Sequence, residues 1–263
     1  MSQRSWSADT EFMKRYLIIG YGAGSYLLFV VAFLYAIGFV GNFVVPRTVD
    51  RGITASIGEA VAVNVVLLVA FAVQHSVMAR PAFKRWWTRF VPQPIERSTY
   101  VLLSSAVLLL LYWQWRTMPA VIWDVGQPAA RLVVWAVFWL GWAIVFASTF
   151  MINHFDLVGL RQVYLAWRAK AYTEVGFHTH LLYRLVRHPI MLGFIIAFWA
   201  TPTMTAGHLL FSIATTGYIL IALRLEESDL TATLGDRYRN YRRAVPMLVP
   251  RPRRLPNKTL AQQ

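Results

Sequence analysis

The polar side chains able to take part in chemistry gather at the ends of long apolar stretches. One stretch ends in Gln74-His75-Ser76 and leads to Arg80-Pro81; another ends in Asn153-His154-Phe155-Asp156 and leads to Arg161-Gln162. A neutral imidazole or a carboxylate in such a place takes a proton from a bound acid when it lies within hydrogen-bond reach. His75, His154 and Asp156 are the candidates, with Asp156 spaced to orient His154, and Arg97 or Arg161 positioned to favour an anion. The ordinary alternative for each histidine is structural, since polar side chains at helix ends satisfy the last carbonyls or sit at headgroup level.

A third cluster forms around Arg187-His188-Pro189. Proline suits the first position of a helix, because its missing amide hydrogen has no partner there in any case. Arg187 and His188 then stand before an open helix N-terminus, where free N–H groups and a guanidinium hold a carboxylate or phosphate. The plainer role for Arg187 is contact with lipid phosphate. Glu226-Glu227 follow an 18-residue apolar run directly. Acidic residues add nothing to anchoring at an anionic membrane surface, so the pair points to a cationic or hydroxyl-bearing ligand, or to a salt bridge with Arg224 or the basic loops. Beyond them, Tyr238, Tyr241 and Val245 fall at helical spacing while arginines occupy the other face, the pattern of an interfacial helix or a lid.

These clusters need elements to position them, and composition says what those are. The 263 residues are 57% hydrophobic and only 14% charged, against roughly 25% charged in an ordinary soluble domain. The apolar residues come in blocks long enough to cross a bilayer, for which about 20 residues suffice. We expect an all-α polytopic membrane bundle with four spanning helices at 16–40, 60–79, 98–115 and 132–155. The uncharged stretch 189–223 is too long for one crossing, and Thr201-Pro202-Thr203 and Gly207 break it. It reads as a helical hairpin, giving five or six membrane segments. A cytoplasmic amphipathic lid at 226–250 and a tail at 251–263 complete a single domain at 1–250.

Charge orients the bundle. The N-terminus carries 3 Lys or Arg, the loops at 80–97 and 161–187 carry 5 each and the end from Arg224 carries 9, whereas the alternate loops share 4. Positive loops stay inside, so both termini and both long loops are expected in the cytoplasm of a bacterial inner membrane. That basic rim accounts for the net charge of +14 without nucleic acid, and no zinc-finger or ribonucleoprotein motif argues otherwise. The chain has no cysteine, which excludes a disulfide framework, a thiolate metal site and a cysteine nucleophile. No metal is expected, and no obligate protein partner is evident.

The run Tyr183-Arg184-Leu185-Val186-Arg187-His188-Pro189-Ile190-Met191-Leu192-Gly193, followed by Glu226-Glu227, Leu234-Gly235, Tyr238, Tyr241, Val245-Pro246 and Val249-Pro250, resembles the C-terminal signature of integral-membrane methyltransferases. That group includes the isoprenylcysteine carboxyl and phospholipid methyltransferases. One departure is Met191, where many relatives have tyrosine. The earlier motifs, from Gln74 to Lys84, Ile95 to Ser98 and Asn153 to Val163, are similar to the bacterial methanethiol S-methyltransferases, a likeness running from about residue 15 to 254. The resemblance implies methyl transfer from S-adenosylmethionine to methanethiol, giving dimethyl sulfide. It also implies that Tyr183, Arg187, His188, Pro189 and Gly193, with Glu226, Glu227 and the lid residue Tyr238, hold the cofactor. The thiol would meet His154, Asp156, His75, Arg161 or Arg97. Two rivals remain: a relative acting on another thiol or an isoprenylcysteine carboxylate, and a haem-binding membrane protein using His75 and His154 as ligands between helices.

Overall fold

The computed structural model describes residues 2–176 and 179–250. The expected tail at 251–263 lies outside the described residues. In chain order the elements are α1 (Ser2–Gly41), β1 (Ile53–Thr54), α2 (Ile57–Ala79), α3 (Pro81–Trp87), α4 (Gln93–Gln114), β2 (Arg116–Thr117), β3 (Val121–Asp124), α5 (Pro128–Ile152), α6 (His154–Leu157) and α7 (Leu160–Trp167). A 3₁₀ turn (Leu181–Arg184) leads to α8 (Pro189–Trp199), β4 (Thr203–Thr205), α9 (Ala206–Leu234) and α10 (Asp236–Ala244). Five helices are long and apolar enough to cross a membrane: Phe12–Gly41, Ile57–Ala79, Gln93–Gln114, Pro128–Ile152 and Ala206–Leu234. The chain is a multi-pass all-α membrane bundle. Because the crossings alternate in direction, the N-terminal ends of α1, α4 and α8 share one face with the C-terminal ends of α2, α5 and α9.

Local chemistry explains the boundaries. Ser56 caps α2 by accepting from the Glu59 amide, and α3, α5 and α8 each open on a proline. Asn153 ends α5, its side chain accepting from the Asp156 amide. His154 and Asp156 therefore sit on the separate turn α6, and the expected span to residue 155, which had included His154, ends at Ile152. A second correction concerns the lid. Glu226 and Glu227 lie inside α9, which continues unbroken to Leu234, because Leu225, Leu230, Ala232 and Leu234 sustain helix-forming sequence past the carboxylates. The lid helix starts only after Gly235, whose φ of +56° breaks the helix in a conformation glycine adopts without strain.

The hairpin at 189–223 is present, with an uneven first arm. α8 has 11 residues, about 16 Å at 1.5 Å per residue. Extended backbone completes the distance: β4 pairs antiparallel with β3, and the amides of Ala206 and Gly207 donate to the carbonyls of Ala120 and Met118. Non-helical backbone at membrane depth must be buried in protein, and Thr201, Pro202, Met204 and Thr205 are buried. The exposed carbonyl of Phe198, left over as α8 ends, accepts from His208 Nε2 at 2.9 Å and Ser212 Oγ at 2.7 Å. Packing of α8 on α5 depends on two glycines. A Cβ on Gly193 would lie 2.7 Å from the Gly141 carbonyl oxygen, and one on Gly141 would lie 2.7 Å from the Ala197 amide nitrogen. The missing side chain of Gly193 thus serves helix contact, a role separate from the cofactor contact implied by the motif.

Candidate functional site

The last third of the chain converges on one buried carboxylate. α9 carries Glu227 to the face where α8 begins, and there Arg187 Nε donates to Glu227 Oε1 at 2.6 Å while His188 Nε2 lies 3.1 Å from the same oxygen. From α10, Arg242 Nε stands 3.5 Å from Oε2. The side chains of Arg187 and Glu227 are 8% and 5% exposed, so the pair is shielded from water and breaking it is costly. Arg187 does more than neutralise Glu227. Its guanidinium also donates to the carbonyls of Arg242 and Val245, and the amides of Arg187 and His188 donate to the carbonyls of Pro246 and Met247. One short segment before α8 therefore clamps both α9 and the stretch after α10.

Tyrosines close this assembly. Tyr241 Oη donates to the Tyr183 carbonyl at 2.6 Å, and Tyr183 Oη donates to the Ser148 carbonyl at 3.4 Å, linking lid, 3₁₀ turn and α5. Tyr238 is fully buried beside Glu227; burial and the carboxylate both hold its phenol protonated well above the usual tyrosine range. Glu226 is different. It is half exposed, its nearest cationic atom is His188 Nδ1 at 3.8 Å, and it lies within electrostatic range of Tyr100 and Tyr183. Among the described residues it makes no hydrogen bond.

Of the residues implied to hold a cofactor, the structure thus brings together Tyr183, Arg187, His188, Glu226, Glu227 and Tyr238, with Pro189 adjoining them. The sequence pattern left Arg242 undistinguished among its neighbouring arginines. Its guanidinium reaches Glu227 because helical spacing puts it three residues beyond Arg239 on the inner face of α10, a signal readable only once α9 and α10 are known to fold together.

The second face of the site is built by α2, α4 and α9. Tyr100 Oη lies 2.9 Å from His75 Nε2, Ser104 Oγ lies 3.3 Å from Nδ1, and the imidazole stacks on Phe71. Ser76 Oγ meets Tyr218 Oη of α9 at 3.1 Å. The Arg97 guanidinium lies 5.2 Å from the centre of the Tyr100 ring, steadied by a 2.8 Å bond from Nε to the Leu157 carbonyl. Arg80 and Asp229 fasten α2 to α9 at 2.9 Å. Tyr100, Ser104 and Tyr218 had no motif to mark them.

His154 and Asp156 do not form the expected pair. Asp156 accepts from Arg161 at 3.0 Å and from Tyr172 at 3.3 Å, and Arg161 also bonds Thr173. His154 instead has Tyr26 Oη 3.0 Å from Nε2 and Thr149 Oγ1 3.0 Å from Nδ1, with its ring stacked on Phe150. Burial lowers its pKa, so the imidazole is neutral at pH 7. The turn Asn153–Leu157 points the two side chains apart, which two-residue spacing on a single helix turn makes unavoidable. His75 and His154, the alternative pair of haem ligands, each have both ring nitrogens against hydroxyl groups.

Fold and site define a class: a multi-pass helical membrane protein whose last helices gather ionisable side chains over a buried glutamate at one end of the bundle. Residues 64–225 match the NnrU protein family, and the chain belongs to it. Within that family the similarity spans nearly the whole sequence. A methanethiol S-methyltransferase of Mycobacterium tuberculosis is 75% identical over 242 residues, 92% of this chain and 99% of the relative. Methanethiol S-methyltransferase 2 of Bradyrhizobium diazoefficiens is 59% identical over 90% of this chain and 91% of its own length. Nurim of Mus musculus is 31% identical over 69% of this chain and 70% of its length. No solved structure matches the chain.

Proposed function

We propose that this protein is a membrane-embedded, S-adenosylmethionine-dependent methyltransferase that converts methanethiol into dimethyl sulfide. The observation that carries the reading is near-full-length identity to proteins named methanethiol S-methyltransferase; the clamp on Glu227 gives it a chemical basis. S-adenosylmethionine when bound supplies an electrophilic methyl group on a sulfonium. The donor set suits it: Glu226 is an acceptor free for an ammonium or ribose hydroxyls, and the first amides of α8, at Ile190 and Met191, are donors that no helix turn satisfies. The Arg187 guanidinium is taken up by Glu227 and the lid carbonyls, so Arg187 positions the lid and Glu227 while His188, Glu226 and Tyr238 face the donor. Tyr183 and Pro189 fix the turn that presents His188.

Attack requires a thiolate. His75 is the residue we assign to take the thiol proton. Tyr100 holds its ring, and Ser104, the longer of the two contacts, yields its place to the thiol. The proton would pass to the imidazole as the S–H bond breaks, leaving a thiolate ready to receive the methyl group that bound S-adenosylmethionine would supply. Arg97, beside Tyr100, favours the anion. His154 supports the wall formed by Tyr26 and Phe150, and Asp156 with Arg161 orders the loop leading to Tyr172. The basic face of the bundle is assigned to the cytoplasm, which supplies the donor, and the membrane to the bacterial inner membrane.

Head-space gas chromatography tests this. Membranes containing the protein, given methanethiol and S-adenosylmethionine, are expected to release dimethyl sulfide, and Glu226→Ala and His188→Ala membranes to release at least tenfold less. Wild-type membranes producing no more than membranes lacking the protein would overturn the proposal, and methyl transfer to a farnesylcysteine carboxylate in their place would assign another acceptor.

A further inference from the structure

A cavity opens between α9 and the lid, next to the clamp on Glu227. A cleft of about 630 Å³ separates α9 from α10 and is bordered by Arg224, Ser228, Thr231, Arg239, Arg242 and Met247, with Glu227 at its floor. Its α9 wall follows from spacing: residues 224, 227, 228, 231 and 232 lie at i, i+3, i+4, i+7 and i+8, a single helix face. The α10 wall contributes Arg239 and Arg242, and Arg243 borders the adjoining hollow. Three guanidiniums thus border the cleft, with Arg243 in the hollow beside it. The carboxylates nearby are already engaged: Glu227 with Arg187, His188 and Arg242, Asp229 with Arg80, and Asp236 with Arg239. Arg224 and Arg243 form no ion pair or hydrogen bond among the described residues. The cleft therefore carries excess positive charge, a hydroxyl donor at Ser228, and apolar lining at Ala232 and Met247.

Depth identifies the anion. Arg224 lies 18 residues beyond Ala206, the start of α9, about 27 Å along the helix at 1.5 Å per residue. A hydrocarbon core is about 30 Å thick, so Arg224 stands where acyl chains give way to headgroups, with the rest of the cleft on the water side. Arginine forks match phosphate oxygens, and headgroup phosphates lie at that level.

We propose that this cleft binds the phosphate of an anionic phospholipid headgroup, and that the bound lipid holds α10 against Glu227. Through Arg242, which touches both the cleft and the carboxylate, the lipid tightens the clamp on the site, making the lid sensitive to the composition of the membrane around it. Native mass spectrometry of the delipidated protein, titrated with phosphatidylglycerol or phosphatidylcholine, tests this without reference to any catalysed reaction. Phosphatidylglycerol is expected to be retained at least tenfold more strongly, and Arg224→Gln and Arg243→Gln each to weaken it about fivefold, the loss for one basic residue at a membrane surface. Equal retention of the two lipids, or unchanged retention by the double variant, would overturn the proposal. So would displacement of the lipid by millimolar inorganic phosphate or by S-adenosylmethionine, because the cleft would then belong to a soluble anion. In nanodiscs, protection of the loop before α10 from protease is expected to rise with phosphatidylglycerol in the wild type and not in the double variant.

Discussion

The two ends of the bundle bury polar groups in opposite ways. At the end away from the lid, Asp50 accepts from Asn42 and Thr205, Arg51 donates to the Asn42 carbonyl, and Asn64 and Arg116 exchange two bonds of 2.8 Å. The pairs β1–β2 and β3–β4 then stitch every connection on that side to its neighbour, and Trp115 reaches back to the Val49 carbonyl. Most of these partners are backbone groups or uncharged side chains, fixed by local turns. The lid end instead spreads a few carboxylates among many cations, and leaves Glu226 half open. A network of separate bonds between loops gives rigidity; a shared carboxylate gathers three elements on one joint. The proposed site lies at the end where a carboxylate, Glu226, is left half exposed and without a hydrogen bond among the described residues.

Removing the shared carboxylate should break that contrast most severely. Glu227→Ala leaves Arg187 and His188 without their buried partner, a change of the type that costs about 3–5 kcal/mol. Thermal unfolding in detergent should show that loss, and methanethiol methylation should fall by at least 100-fold; a variant as stable as wild type would mean the joint does not hold the lid. At the opposite end Asp50→Ala strands Asn42 and Thr205, with an expected cost of about 1–3 kcal/mol. Its turnover, measured at a temperature where it remains folded, should stay within about threefold of wild type, and a larger drop would show the two ends to be coupled.

The smallest effect is expected at His154. His154→Asn should keep turnover within about threefold, and a loss of more than tenfold would restore the imidazole to the reaction. Its pH dependence has a definite sign. Burial lowers the folded pKa below the ordinary 6.5, so below pH 6.5 the unfolded chain binds the proton more readily than the folded one. The stability difference between wild type and His154→Asn should therefore be constant above pH 6.5 and shrink as pH falls below it, as read from melting temperatures.

Much of this was legible in advance. Apolar run lengths located four of the five long helices, because a bilayer demands about 20 uncharged residues whatever their identity, and Pro202 marked the hairpin turn before the fifth. Glu226-Glu227 and Arg187-His188 announced a site by being charged where charge is costly. What remained illegible was pairing. Nothing in the string Asn153-His154-Phe155-Asp156 shows that Asp156 turns to Arg161 while His154 turns to Tyr26, 128 positions earlier. Gly193 reads as part of a cofactor motif until α5 is seen against it.

Hydropathy was enough to specify a multi-pass bundle, since that depends only on transfer of each segment from water to lipid. Which oxygen each arginine grips, which hydroxyl holds each histidine, and which of two neighbouring glutamates stays open were decided by tertiary structure alone. Such contacts depend on distances of about 3 Å between residues far apart in the chain, and only the packing of the helices sets those distances.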